Sequence, residues 1–167
     1  TGLVGRFVGA RDLDSASDSV FSGLFLASAY ALILSLACLA LTPAMVELFL
    51  EPDSSVATRD LAIWGTQLNA FLMFILAWAS ILGGALRGAG DTYGVMFISA
   101  GFWWLQYALV VILIHMFGLH PDDVLTIHVL SSPLLLIAMV MRFRSGTWRK
   151  FELASYCLLY TSDAADD

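Results

Sequence analysis

Four long apolar runs divide the chain, and short polar segments between them hold the charge. A helix needs about 20 apolar residues to cross the hydrocarbon core of a bilayer. The runs therefore predict transmembrane helices at about residues 20–42, 61–86, 94–117 and 124–141. The fourth is the weakest, because it is near the minimum length and contains Pro133, which removes one backbone donor and is expected to kink the helix.

The segments between the runs are predicted to be loops and turns. Residues 1–18 are interpreted as a loop, or as the end of one helix and the start of the next. The N-cap candidates for the first span are Ser15, Ser17 and Ser19. The first span is expected to end near Thr42-Pro43, followed by a short interfacial helix and a turn at residues 51–53.

The distribution of basic residues predicts the orientation. With four spans, residues 1–18, 87–93 and 142–150 share one side and contain seven Arg and Lys residues, whereas the opposite side contains only Arg59. Cytoplasmic loops carry an excess of Arg and Lys, so both ends of the chain are expected to be cytoplasmic.

Composition supports an all-α integral membrane protein. The chain is 59 % hydrophobic and 13 % charged, whereas a soluble domain carries roughly a quarter charged residues. There is no basic patch with interleaved aromatic residues, so nucleic acid is not an expected partner. The sequence offers no catalytic residue pair, metal-spaced His/Cys cluster or phosphate-binding glycine loop, so we predict neither an enzyme nor a resident cofactor or metal.

The two ends of the sequence suggest a fragment. The chain has no initiator Met and opens in a Gly-rich polar segment. Residues 1–153 are interpreted as one membrane domain, and residues 154–167 as a non-native tail excluded from fold reasoning.

The turn between the second and third spans carries two overlapping patterns. Ser80, Gly84 and Gly88 form a small-residue stripe that predicts close helix packing, either static or as a sliding face. Arg87 and Asp91 are four residues apart and either pair with each other or act separately. In the second case Arg87 is a cytoplasmic anchor and Asp91 is the N-cap of the third span.

Polar and aromatic residues inside the spans are the candidates for a substrate cavity. They are the amides Gln67 and Asn69 and the aromatic residues Trp104 and Tyr107. The alternative is interhelical hydrogen bonding for the amides and packing for the aromatic rings. His115 and His128 lie near span ends and are interpreted as interfacial or packing residues.

Three segments resemble the multidrug and toxin extrusion (MATE) transporters. Residues 83–92, GGALRGAGDT, are similar to a cytoplasmic turn of that family. Residues 5–16, GRFVGARDLDSA, resemble its other cytoplasmic loop, and residues 142–148, RFRSGTW, its C-terminal ending. The residues that carry the two loop motifs are Gly5, Gly9, Gly84, Arg87, Gly88, Gly90, Asp91 and Thr92.

The resemblance implies a fold and a function. Family members have twelve helices in two lobes, so the chain is expected to be the last four helices of the C-terminal lobe, with the N-terminal lobe as its missing partner. Members sit in the plasma membrane, which in bacteria is the inner membrane. They export drugs and organic cations in exchange for Na⁺ or H⁺.

The coupling ion and two alternative functions also follow from the resemblance. Some members use a carboxylate in the helix corresponding to residues 61–86, which has none here, so the ion is expected to bind outside this fragment. The alternatives are a related flippase for lipid-linked oligosaccharides, which the absence of Arg and Lys inside the spans disfavours, and a non-transporting membrane scaffold.

Overall fold

The fold is a bundle of antiparallel and parallel helices. The computed structural model describes residues 2–118 and 120–150, so the predicted non-native tail lies outside the described residues. The described helices are α1 (Gly2–Gly9), α2 (Leu13–Phe49), α3 (Val56–Gly88), α4 (Thr92–Phe117) and α5 (Pro121–Arg144), followed by a 3₁₀ helix at Thr147–Lys150. Helices α2 to α5 are each long and apolar enough to cross a bilayer, which confirms the all-α membrane fold class.

Helix α2 begins earlier than the sequence suggested. Residues 1–18 contain the end of α1 and the start of α2, which is the second of the two interpretations. The N-cap is Asp12, whose Oδ1 accepts from the backbone N–H of Ser15 at 3.0 Å, so the three serine candidates were wrong. Hydrogen bonds from the Ser15 side chain and backbone lower the pKa of the Asp12 carboxyl below its ordinary value.

Helix α2 also ends later than predicted. It runs unbroken through Pro43 to Phe49, so the separate interfacial helix was wrong. Pro43 has no N–H to donate to the Leu39 carbonyl. Beside it, the Thr42 hydroxyl donates to the Cys38 carbonyl at 2.6 Å, one turn earlier in the helix. At about 1.5 Å per residue, α2 is about 55 Å long, well beyond the hydrocarbon core of about 30 Å.

Helix α3 is the centre of the bundle. It packs against α2 on one side and α5 on the other, whereas α4 packs mainly against α5. The α2–α3 contact includes two interhelical hydrogen bonds, from Ser35 Oγ to the Ala70 carbonyl at 2.7 Å and from Trp78 Nε1 to Ser28 Oγ at 2.8 Å. Such bonds help to hold helices together in lipid, where apolar burial supplies no drive between them.

Helices α3 and α5 run in the same direction. A Cβ built on Gly65 would lie 3.1 Å from Leu125 Cδ1, and one built on Gly83 would lie 3.8 Å from Met139 Cε. Residues early in one helix thus contact residues early in the other. Parallel neighbours bring the end of α5 beside the end of α3, which places the C-terminal segment at the turn between α3 and α4.

Candidate functional site

The turn between α3 and α4 is a Schellman motif. The Gly90 N–H donates to the Arg87 carbonyl at 3.1 Å, and the Asp91 N–H donates to the Leu86 carbonyl at 2.9 Å. This pair of bonds requires a left-handed residue, and Gly90 supplies it with φ of 96°. Thr92 is the first residue of α4.

Asp91 joins three helices. It is the N-cap of α4, as predicted, with Oδ1 accepting from the Gly94 N–H at 3.2 Å. Its carboxylate also accepts two bonds from Arg142 near the end of α5, from Nε at 2.7 Å and from Nη2 at 2.9 Å. Asp91 is 2 % exposed, so its carboxylate is buried. The two bonds from Arg142 make the ion pair bidentate.

The Arg87–Asp91 pair considered from the sequence does not form. Arg87 is exposed and makes no ion pair within residues 2–118 and 120–150. The partner of Asp91 is instead the arginine on α5, because the parallel arrangement of α3 and α5 brings Arg142 to the turn. Asp91 is therefore the N-cap of α4, and the role of Arg87 as a cytoplasmic anchor stays a prediction.

The two loop segments that carry the family motifs lie against each other. Helix α1 crosses the end of α3 so closely that a Cβ on Gly5 would lie 2.9 Å from the Gly88 carbonyl oxygen. Val4 and Val8 of α1 are buried in the same cluster as Leu86 of α3. Gly9, the last residue of α1, is exposed.

The third motif segment completes this cluster. Trp148 is 1 % exposed, stacks on Phe143 with ring centroids 5.2 Å apart, and donates from Nε1 to the Phe143 carbonyl at 2.9 Å. Arg149 lies over the Trp148 ring at 5.3 Å, a cation–π contact. All three segments that resemble the family therefore meet at one end of the bundle. We call this end, formed by residues 5–16, 83–92 and 142–148, the turn end.

The small-residue stripe is packed at only one of its three positions. Gly88 faces α1, but Ser80 is exposed, and both Ser80 and Gly84 line a cleft of about 310 Å³ between α1, α2 and α3. Arg87 also lines this cleft. Close packing by the whole stripe is therefore not seen in the described part of the chain.

The candidate cavity residues point away from the helix contacts. Trp104 and Tyr107 are 71 % and 64 % exposed and lie edge to face, with ring centroids 6.2 Å apart. Gln67 and Asn69 on α3 are exposed and make no side-chain hydrogen bond among the described residues. The structure thus brings the two aromatic rings together, whereas no described side-chain contact joins them to the amides.

A polar contact between α4 and α5 was missed by the sequence interpretation. Gln106 Nε2 hydrogen-bonds His128 Nδ1, and the His128 ring stacks on Trp103 with centroids 6.0 Å apart. The signal was the spacing: Gln106 and His128 lie at similar distances before and after the Gly118 turn, so an antiparallel hairpin places them near each other.

Comparison with known proteins identifies the family of the chain. The MatE family model matches residues 1–112, more than half of the chain, and the match includes both loop segments at the turn end. No curated protein and no solved structure matches the chain. The family is one of transporters rather than enzymes. With its four membrane-length helices, the chain belongs to the MatE family of integral, multi-pass membrane transporters.

Proposed function

We propose that the chain forms four helices of the C-terminal lobe of an exporter for drugs and organic cations. The transporter resides in the plasma membrane, is driven by Na⁺ or H⁺, and works by alternating access. Rocking of this lobe against an N-terminal lobe exposes a central cavity to each side of the membrane in turn. Family membership supports the transporter role.

One observation supports a cavity on this part of the protein. The amides of Gln67 and Asn69 are exposed inside a membrane span and are not used by the described helices for hydrogen bonding. An amide facing hydrocarbon without a partner costs several kcal/mol, about 2 to 7. Both amides therefore need water, a substrate or another protein segment in front of them.

The exposed rings of Trp104 and Tyr107 suit the proposed substrate. They lie inside the α4 span rather than at its interfacial ends, where aromatic residues usually concentrate. An aromatic face attracts a cation by about 2 kcal/mol when the contact is shielded from water. Two edge-to-face rings and two amides offer the contacts that a flat organic cation needs.

Alanine substitution tests the cavity. In the full transporter chain, Trp104→Ala is expected to weaken the apparent affinity for a cationic dye such as ethidium about tenfold, because about 1.4 kcal/mol of cation–π attraction is lost. Tyr107→Ala, Gln67→Ala and Asn69→Ala are expected to reduce dye efflux or alter the substrate range.

The matched control is Leu105→Ala. Leu105 is 65 % exposed and lies next to Trp104 on α4, but it has neither a π face nor a polar atom. Its efflux is expected to equal that of the wild type at equal expression. Unchanged efflux and unchanged substrate range in all four test variants would show that these residues do not line the substrate cavity.

Cysteine labelling tests the orientation. In a background of Cys38→Ser and Cys157→Ser, a membrane-impermeant maleimide added to intact cells is expected to label Asp53→Cys and to spare Arg144→Cys. Both positions are exposed and lie at opposite ends of the bundle. Permeabilised cells serve as the control, in which both variants should react. Labelling of only Arg144→Cys in intact cells would reverse the proposed topology.

A further inference from the structure

We propose that His128 is a proton-binding site inside the membrane domain, and that the Gln106 amide reorients when the proton binds. The contact joins α4 to α5 and lies within the apolar stretch of both helices. The proposal places a proton site within these four helices, whereas the resemblance implied an ion site outside them. It extends the proposed function, and only a role of this proton in coupling rests on that function.

The spans contain few other groups that can take a proton. Residues 20–42, 61–86, 94–117 and 124–141 contain no Asp, Glu, Lys or Arg. Histidine is the side chain that ordinarily changes charge between about pH 5 and 8. His115, the other histidine in the spans, is exposed, and its ring hydrogen-bonds the Val111 carbonyl of its own helix at 2.9 Å. His128 is the histidine whose ring contacts a second helix.

The neighbours of His128 are suited to both of its charge states. With Gln106 Nε2 donating to Nδ1, the neutral ring carries its proton on Nε2, and the Gln106 Oε1 is buried with no hydrogen-bond partner among the described residues. A proton taken from water onto Nδ1 would face the amide N–H₂ group. Rotation of the amide then turns Oε1 to accept from Nδ1–H.

Trp103 stabilises the charged form on the other side of the ring. The two rings stack with an interplanar angle of 26° and centroids 6.0 Å apart. This separation is within the range, about 6 Å, over which a cation is attracted to an indole face. The imidazolium therefore has an aromatic face on one side and an amide oxygen at its edge.

The charged and titratable groups around the site are few. On α4 they are Tyr107, whose ring lies against Trp104, and His115. On α5, Asp123 accepts from the His120 N–H at 3.0 Å, and position 122 is also an Asp. Helix α3 contributes none between residues 61 and 86. The basic groups in this set are His115 in the last turn of α4 and His120 at the N-cap of α5.

Three residues modify the hydrogen bonding of the α5 backbone next to His128. The hydroxyls of Ser131 and Ser132 both donate to the His128 carbonyl, at 3.1 and 2.6 Å. Pro133 lies inside the helix and supplies no N–H to the carbonyl of Val129. Protonation of the ring would therefore occur beside a segment of α5 in which one backbone hydrogen bond is missing, and the ring itself forms the contact between α4 and α5.

The test is a titration of the full chain in detergent, labelled with ¹⁵N-histidine and followed from pH 8 to pH 5. His128 signals are assigned by their loss in His128→Gln. The expected result is a neutral ring protonated at Nε2 at high pH and a reversible second protonation at Nδ1 as the pH falls. Ring nitrogens of His128 that do not change over this range, while those of His115 and His120 do, would overturn the proposal.

Two variants test the roles of the neighbours. Gln106→Leu is expected to weaken proton binding at His128 about fivefold, because a hydrogen bond to the charged ring is lost and such bonds are stronger than neutral ones. The matched control is Leu105→Ala, which changes the adjacent exposed residue and should leave the titration unchanged. A Gln106→Leu titration identical to that of the wild type would refute the amide's part.

Tryptophan fluorescence gives an independent readout. Charging a ring stacked on an indole is expected to quench its emission, so wild-type fluorescence should fall with the His128 titration, and Trp103→Phe should abolish that step. Neither measurement requires transport. A chain that titrates at His128 but exports no dye would refute the proposed function alone, and active export with a silent His128 would refute this inference alone.

Discussion

Replacing Arg142 by alanine is expected to lower the free energy of unfolding by about 1.5 to 3 kcal/mol, the contribution of hydrogen bonds to a charged group. Asp91 is 2 % exposed and would keep only the Gly94 N–H as a hydrogen-bond donor to its side chain. Arg142 is 33 % exposed, so water can enter from that side and compensate part of the lost interaction. Unfolding of the purified chain in mixed micelles measures the loss.

Two variants separate this effect from the simple loss of an arginine. Arg144 lies two residues further on and is exposed, with no ion pair in the described part of the chain, so Arg144→Ala is expected to cost less than about 0.5 kcal/mol. Adding Asp91→Asn to Arg142→Ala should recover part of the stability, because asparagine keeps the N-cap and removes the unpaired charge. Equal losses for Arg142→Ala and Arg144→Ala would contradict the role of the ion pair.

Replacing Gly94 by alanine is expected to cost about 1 to 3 kcal/mol, the range for overpacking a filled site. A Cβ at this position would lie 2.5 Å from Asp91 Oδ1 and 2.8 Å from Arg142 Nε. Both atoms are fixed by their mutual hydrogen bonds, so relieving the clash means separating the ion pair. The same unfolding measurement in mixed micelles applies.

The control for Gly94 is a second glycine on α4. A Cβ on Gly101 has no atom within 4 Å, so Gly101→Ala is expected to be neutral or to stabilise α4 by up to about 1 kcal/mol. The two substitutions are chemically identical and differ only in surroundings. A loss of stability that is the same at both positions would show that helix propensity, and not the ion pair, determines the outcome.

The spans and the cap of α4 were predictable because their causes are local. An uncharged run long enough to cross the bilayer needs no information from elsewhere in the chain. The same is true of Asp91, since an Asp followed by an apolar run is a strong helix start. Its side-chain bond to the Gly94 N–H confirms that prediction.

The long-range partners were not predictable from residue spacing. Arg142 is separated from Asp91 by 51 positions, and only the parallel packing of α3 and α5 brings them together. The sequence offered the nearer Arg87, which sits four residues from Asp91, but the Schellman turn intervenes between the two residues.

Both ends of α2 differ from the prediction. Pro43 suggested the end of a helix, yet α2 continues beyond it, because a proline inside a helix removes one N–H donor and leaves the other hydrogen bonds of the ladder in place. Asp12 is the N-cap in place of the predicted serines, since the helix begins about two turns before the predicted span. The four cavity candidates stay predictions, because no contact between the described residues tests a cavity.

The ion pair at the turn end has a consequence for the order of synthesis. Asp91 leaves the ribosome well before Arg142, so the α3–α4 hairpin is complete while its carboxylate lacks a counter-charge. Burial of that charge before α5 arrives carries the full desolvation penalty. Insertion of α5 therefore supplies the counter-charge, and a nascent chain stalled before residue 142 presents an unneutralised carboxylate to the cell's quality-control proteases.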